Sequence, residues 1–114
     1  MVNKWEIYFC SLDPTQGSEQ RGRRPVIIVS NDEVNHALPV STVLPLSSLK
    51  DGDRIYPSEV FLPATETGLP RDSVAMVQQI RTVAHSRLNN LSGALVNAVY
   101  QEEIKTALRL YFEV

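Results

Sequence analysis

A small antiparallel barrel with one C-terminal helix packed on it, mainly β with α, is the fold class that three features of this 114-residue chain predict. Short apolar runs recur at close spacing, each bounded by turn residues, as in compact sheet domains. All seven prolines and four of the five glycines lie before residue 71. Beyond them, from about Ser92 to Phe112, proline is absent, and Val96, Tyr100, Ile104, Leu108 and Tyr111 recur at helical spacing. The chain divides into a turn-rich sheet portion and a helical tail. It reads as one domain over residues 1–114, without repeat, linker or low-complexity segment.

Taken in order, Trp5 to Leu12 is rich in aromatic and aliphatic residues and stops at Asp13-Pro14, as a first strand does. Val26 to Val29 is a continuous apolar run suited to a strand covered on both faces. Asn31 to Ala37 forms a short helix, with Asn31 as N-cap and Asp32 and Glu33 near the positive end of its backbone dipole; Pro39 ends it. Val40 to Leu46 is the next strand, Leu49 to Pro57 a polar loop, and Glu59 to Leu62 a strand. Thr65 to Arg71 is a turn, and Ser73 to Val83 supplies strand material interrupted at Gln78-Gln79. The final helix should lay its apolar face on the barrel.

A formal charge of −2 argues against binding polyanions over the whole surface, so any nucleic-acid contact is a local patch. Eight of the eleven basic residues are arginine, which favours planar, bidentate phosphate contacts; the bland alternative is that they pair with the thirteen acidic residues. Cys10 is the only cysteine, which excludes an intrachain disulfide and a cysteine zinc site; lying in a strand, it reads as a buried small hydrophobe. No signal segment and no apolar run of about 20 residues is present, so the expected setting is the cytoplasm, without membrane contact.

Between the first two strands, Asp13-Pro-Thr-Gln-Gly-Ser-Glu-Gln-Arg-Gly-Arg-Arg-Pro25 is a polar, arginine-rich loop that feeds straight into a buried strand. Such a loop on a rigid scaffold suits an anion, although the same composition describes a solvated hairpin tip. Asp51-Gly-Asp53 lacks the further carboxylates of a calcium loop, and no metal or other cofactor is expected. His36, in a short polar helix, and His85, in a turn, read as surface histidines rather than an acid–base pair.

From Asp13 to Asn31 the sequence resembles the signature of the MazF/PemK (Kid) toxins, ribosome-independent endoribonucleases of toxin–antitoxin pairs. That signature reads much like DPTxGSEQxGxRPxxVxSN. Val43-Leu-Pro-Leu-Ser-Ser48, Gly68-Leu-Pro-Arg-Asp-Ser-Val74, Gln79-Ile-Arg-Thr-Val83 and Arg87-Leu88 follow in the family's order and spacing. Ordered blocks across most of the chain are far more specific than any one of them.

The resemblance implies an SH3-like barrel of the MazF/CcdB kind, a homodimer, and cleavage of single-stranded RNA without metal, leaving a 2′,3′-cyclic phosphate and a 5′-hydroxyl. It marks Arg24, the arginine before Pro25, as catalytic, its guanidinium fork holding phosphate oxygens as charge builds. Arg23 would face the opposite side, because neighbouring residues of an extended chain alternate. Ser47 stands where the family has a catalytic threonine and retains the hydroxyl; Ser48 is the fallback, and a strand-end serine bonding its own backbone is the structural alternative. Glu19, Gln20, Gln79 and Lys4 match binding or supporting positions, the two glutamines carrying the paired donor and acceptor that read a base edge. Trp5-Glu6 departs from the family's usual Gly-Asp. A cognate MazE-like antitoxin would lay a disordered, acidic tail over the same groove. Two other readings stay open: a CcdB-like gyrase poison, whose Trp-Gly-Ile ending this chain lacks, and a barrel that binds RNA or peptide without catalysis.

Overall fold

The computed structural model describes all 114 residues. Strand β1, Glu6–Ser11, runs antiparallel to β2, Arg23–Ile28, with Ile7 opposite Ile27 and Ser11 opposite Arg23. The short helix α1, Asp32–Ala37, starts as expected at Asn31, whose side chain accepts the Glu33 N–H at 2.7 Å. Then come β3 (Val40–Ser48), β4 (Glu59–Leu62), a helical turn α2 (Ala64–Thr67), β5 (Ser73–Met76), β6 (Arg81–Ala84), β7 (Leu88–Ala94) and α3 (Ala98–Phe112). The seven strands form one antiparallel sheet in the order β4-β5-β3-β2-β1-β7, with β6 also on β3. The barrel is not closed by hydrogen bonds, because β4 and β7 end the path.

Nine-residue β3 is the hub. Its Val43, Leu44 and Pro45 pair with Ile28, Ile27 and Val26 of β2. It also pairs with β6 from Val40↔Ala84 to Val43↔Arg81, and with β5 from Leu46↔Ala75 to Ser48↔Ser73. From Val43 to Leu46 the hub advances three residues, while its partner covers six between Ala75 and Arg81. The surplus of three is the 3₁₀ turn Val77–Gln79, which bulges out opposite Pro45.

Side chains alternate across a strand, so the sheet buries two faces. Ile7, Ile27, Leu44, Leu46 and Val77 join Leu95, Ile104 and Ala107 in the main core. Cys10, Leu12, Val26, Ile28, Val43 and Val83 form a smaller core of opposite parity. Cys10 is fully buried, as expected, and burial pushes its thiol up against the opposing pull of Arg87 and Arg81.

The expected final helix begins later than its periodicity suggests. Ser92 to Ala94 belong to β7, because β1 captures their backbone groups, Ile7 opposite Gly93 and Glu6 opposite Ala94. Asn97 then caps α3, accepting the Val99 N–H at 3.0 Å. Val96 precedes the helix and is 79% exposed, and Tyr111 is 45% exposed; the docked face is Tyr100, Ile104, Ala107 and Leu108. The turn expected over Thr65 to Arg71 opens with α2, closed by Gly68 at φ 76°. No helix is long and apolar enough to cross a membrane.

Trp5 also adopts a positive φ, 74°, at the position where the resembled family carries glycine. It is held there by its N–H to the Ile28 carbonyl at 2.7 Å, by Leu95 N–H donating to its own carbonyl at 2.9 Å, and by packing on the main core. At Gly93 the constraint is space: a Cβ would lie 2.8 Å from the Thr67 carbonyl oxygen, a backbone atom that cannot swing away. Gly93→Ala is therefore expected to cost about 1–3 kcal/mol, as overpacking does. The check is a lower urea midpoint with unchanged slope.

Candidate functional site

Strand β2 starts at Arg23, earlier than its apolar run, because the loop before it is closed at its base: Leu12 N–H donates to the Gly22 carbonyl at 2.9 Å and Gly22 N–H to Asp13 Oδ1 at 3.1 Å. Alternation separates the two arginines as expected. The Arg23 guanidinium lies 4.6 Å from the centre of the Phe9 ring on one face, while Arg24 shares the other face with Val26. Arg24 Nε donates to the Arg21 carbonyl at 3.0 Å, and neither Nη makes a hydrogen bond. The guanidinium is aimed by one bond and left with its terminal fork unengaged.

No arginine is neutralised by an acid. The single ion pair in the protein is Lys105 with Glu102, at 3.3 Å on α3. The eight arginines therefore do not pair with the acidic residues, and Arg24 presents an uncompensated cation.

The last bonded pair between β2 and β3 is Val26 with Pro45. Two residues further along each strand, on the same face, stand Arg24 and Ser47. Ser47 is half-buried, and its hydroxyl makes no hydrogen bond within the protein, so it does not cap its own backbone; Ser48 is exposed. Ser47 opens onto a concavity of about 270 Å³ with Arg54, Tyr56 and Val74.

On the other side of Pro45 lies a polar cleft of about 400 Å³. The 3₁₀ bulge supplies Gln78 and Gln79, β6 supplies Arg81 and Thr82, and the loop supplies Glu19 and Gln20. Gln79 staples loop to sheet: its Nε2 donates to the Ser18 carbonyl and its Oε1 accepts the Gln20 N–H, both at 3.1 Å. Arg81 Nη1 donates to the Leu12 carbonyl at 2.9 Å, and Arg87 donates to the Asp13 carbonyl. Gln20 Oε1 is buried without a partner.

Of the residues singled out from sequence, Glu19, Gln20 and Gln79 meet in this cleft, and Arg24 and Ser47 share the adjoining face. Glu19 does not hold Arg24: its carboxylate accepts the Gln16 N–H at 2.6 Å within its own turn. Gln79 has both ends of its amide engaged by the loop. Lys4 is not brought in. It adjoins Trp5, whose N–H bonds Ile28, so it stands at the far end of β2, about 13 Å from Arg24 by strand rise. Its ammonium lies 4.9 Å from the centre of the Trp5 ring.

His36 Nε2 contacts Asn3 Oδ1 at 2.9 Å on the surface. His85 is half-buried rather than a surface residue, because the 3₁₀ turn His85–Arg87 places its Nε2 2.7 Å from Ser41 Oγ, which in turn donates to buried Asn35. No three His, Cys, Asp or Glu residues gather as a metal site.

Residues 3–112 match the family described as PemK-like, MazF-like toxin of type II toxin–antitoxin system. The chain belongs to this family. A relative from Mycobacterium tuberculosis, endoribonuclease MazF9, is 37% identical over 99% of this chain and 98% of its own. Bacillus subtilis endoribonuclease EndoA is 36% identical over 79% of this chain and 77% of its own. The fold is that of a solved mycobacterial endoribonuclease in complex with its cognate antitoxin, with TM-score 0.80, 22% identity, and 100% and 97% of the two chains covered. The MazE–MazF complex from Deinococcus radiodurans superposes at TM-score 0.73 with 26% identity, covering 99% and 96%.

Sequence reasoning gave Arg81 and Arg87 no role in this PemK/MazF-family toxin, yet they tie the loop that leads to Arg24. Both stand in the blocks Gln79-Ile-Arg-Thr-Val83 and Arg87-Leu88 that carry the resemblance, but nothing local announces this role, since both bonds go to backbone carbonyls 69 and 74 positions away in sequence. The loop staple is testable. Gln79→Leu keeps the volume and removes both bonds, each worth about 0.5–1.5 kcal/mol, so amide exchange at Gln20 is expected to quicken roughly tenfold. Hydrogen-exchange mass spectrometry or NMR reads it; unchanged exchange would show that other contacts hold the loop.

Proposed function

We propose that this toxin is a sequence-specific, metal-independent endoribonuclease that cuts single-stranded RNA, messenger RNA in particular. The observation that carries the reading is the free Nη fork of Arg24 on the same face as the unbonded hydroxyl of Ser47. The ribose 2′-oxygen attacks the adjacent phosphorus, losing its proton, and the bond to the 5′-oxygen breaks as that oxygen gains one. A 2′,3′-cyclic phosphate and a 5′-hydroxyl result. Arg24 holds the non-bridging oxygens and tightens on them as charge builds in the phosphorane. Ser47 donates to the phosphate or relays a proton, and its lack of an internal partner leaves it available for either.

Bases on one side of the scissile phosphate enter the cleft beside Pro45. Glu19 and Gln79 act there by shaping the loop, and Gln20 lines the cleft; Lys4 stands outside it. Relatives named endoribonucleases support the activity. Relatives solved with antitoxins support a MazE-like partner, whose acidic, disordered tail would cover Arg24. A homodimer is supported by Phe61, Leu110, Tyr111 and Phe112, which stay exposed along unpaired edge strand β4 and α3. We take the chain to act as one domain in the cytoplasm.

The test is incubation of purified protein with long single-stranded RNA in EDTA, followed by mapping of fragment 5′ ends. Discrete cuts at one short motif with 5′-hydroxyl ends are expected. A folded protein that cuts none of a diverse RNA set would overturn the reading and favour gyrase binding.

A further inference from the structure

The concavity beside Ser47 is built differently from the cleft beside Pro45. Its base is apolar, from Val74 and Met76 of β5, and its outer wall comes from the segment joining β3 to β4. In that wall the Arg54 guanidinium lies 4.9 Å from the centre of the Tyr56 ring, and Tyr56 is 50% exposed. An aromatic ring capped by a guanidinium offers the flat, polarisable surface on which unpaired bases stack.

The surrounding charges decide what belongs there. Two carboxylates, Asp53 and Glu59, face one cation, Arg54. A phosphate would be repelled at the wall that carries Asp53 and Glu59, whereas a base edge bearing N–H donors finds an acceptor there. Glu59 is already committed: Oε1 accepts the Tyr56 N–H at 3.0 Å and Oε2 the Gln78 amide at 2.9 Å. Asp53 uses Oδ2 for the Lys50 N–H at 2.8 Å, and its Oδ1 makes no hydrogen bond. The Glu59 bonds also fix Tyr56 to the body of the sheet and join it to Gln78, which lines the other cleft.

Resting on the endoribonuclease reading, we propose that Tyr56 and Arg54 form a stacking platform for one unpaired RNA base adjoining the scissile phosphate, and that Asp53 selects a base carrying an exocyclic amino group there. The recognised motif then extends to both sides of the bond that is cut. Pro45 and Ser47 lie between the two base sites.

The experiment compares wild type with Tyr56→Ala, Tyr56→Trp and Asp53→Asn on a randomised single-stranded RNA pool, then on the preferred oligonucleotide. Tyr56→Ala is expected to raise KM roughly ten- to hundredfold, the range of one lost base stack, with the loss in KM rather than kcat. Tyr56→Trp should restore most of it, which a merely structural role for the tyrosine would not allow. Asp53→Asn should relax the preference for an amino-bearing base at a single motif position and leave the others. If wild type cuts while Tyr56→Ala keeps the wild-type KM and motif, the platform is wrong and the endoribonuclease reading stands. If wild type cuts nothing, that reading fails first. Circular dichroism melting of each variant separates either result from misfolding.

Discussion

Arg24→Ala is expected to slow RNA cleavage by about 10²–10³-fold, the loss measured when one preorganised donor to a developing oxyanion is removed. The size follows from its setting. Arg24 is half-buried, aimed by one bond to the Arg21 carbonyl, and unopposed by any carboxylate, so its interaction with the phosphorane is not screened by a partner already in place. The fold should survive, because removing the side chain leaves one carbonyl at the loop end, open to water, without its donor. Arg24→Lys should recover little, since an ammonium lacks both the fork and the Nε that aims it. Single-turnover cleavage with melting curves of each variant is the check, and a rate within threefold of wild type would remove Arg24 from the mechanism.

Leu46→Ala is expected to be the most destabilising simple truncation near the site. Leu46 is 1% exposed in the main core, paired with Ala75 and flanked by Pro45 and Ser47. Its truncation costs about 2–5 kcal/mol when the cavity does not collapse. Against a typical stability of about 5–15 kcal/mol, that corresponds to a melting temperature lower by roughly 10–20 °C. Strand hydrogen bonds on β3 resist collapse, so the upper half of the range is expected. A drop of less than about 3 °C would mean that the core closes over the gap, and Ser47 would then be expected to move with it.

Strands β1 to β6 were legible because their apolar runs are local, and α1 because Asn31, Asp32 and Glu33 cap it from adjacent positions; β7, Leu88–Ala94, carries no such run and was not read as a strand. The start of α3 was not. Ser92 to Ala94 are claimed by β1, more than 80 residues earlier in the chain, and no local pattern announces that partner. In the site, the opposite facing of Arg23 and Arg24 followed from strand alternation alone. That Arg24 and Ser47 share a face needs the register of β2 on β3, which pairing sets and local sequence does not. Gln79 was singled out for its amide, yet that amide serves the loop; only the fold tells a group that reads from a group that holds. Tyr56 and Arg54 escaped notice because an exposed polar loop carries no pattern until its aromatic residue is seen beside the site.

The three-residue surplus opposite Pro45 separates two kinds of inheritance. Where β5 and β6 lie on β3, each residue answers to a partner, and a change propagates along the ladder. In the bulge, Val77 is committed to the core, but Gln78 answers to no strand register. A lineage can therefore retune the wall of the cleft at Gln78 while Gln79 still holds the loop and Arg24 and Ser47 keep their places. Diversity of target with constancy of chemistry is the expected history of such an arrangement.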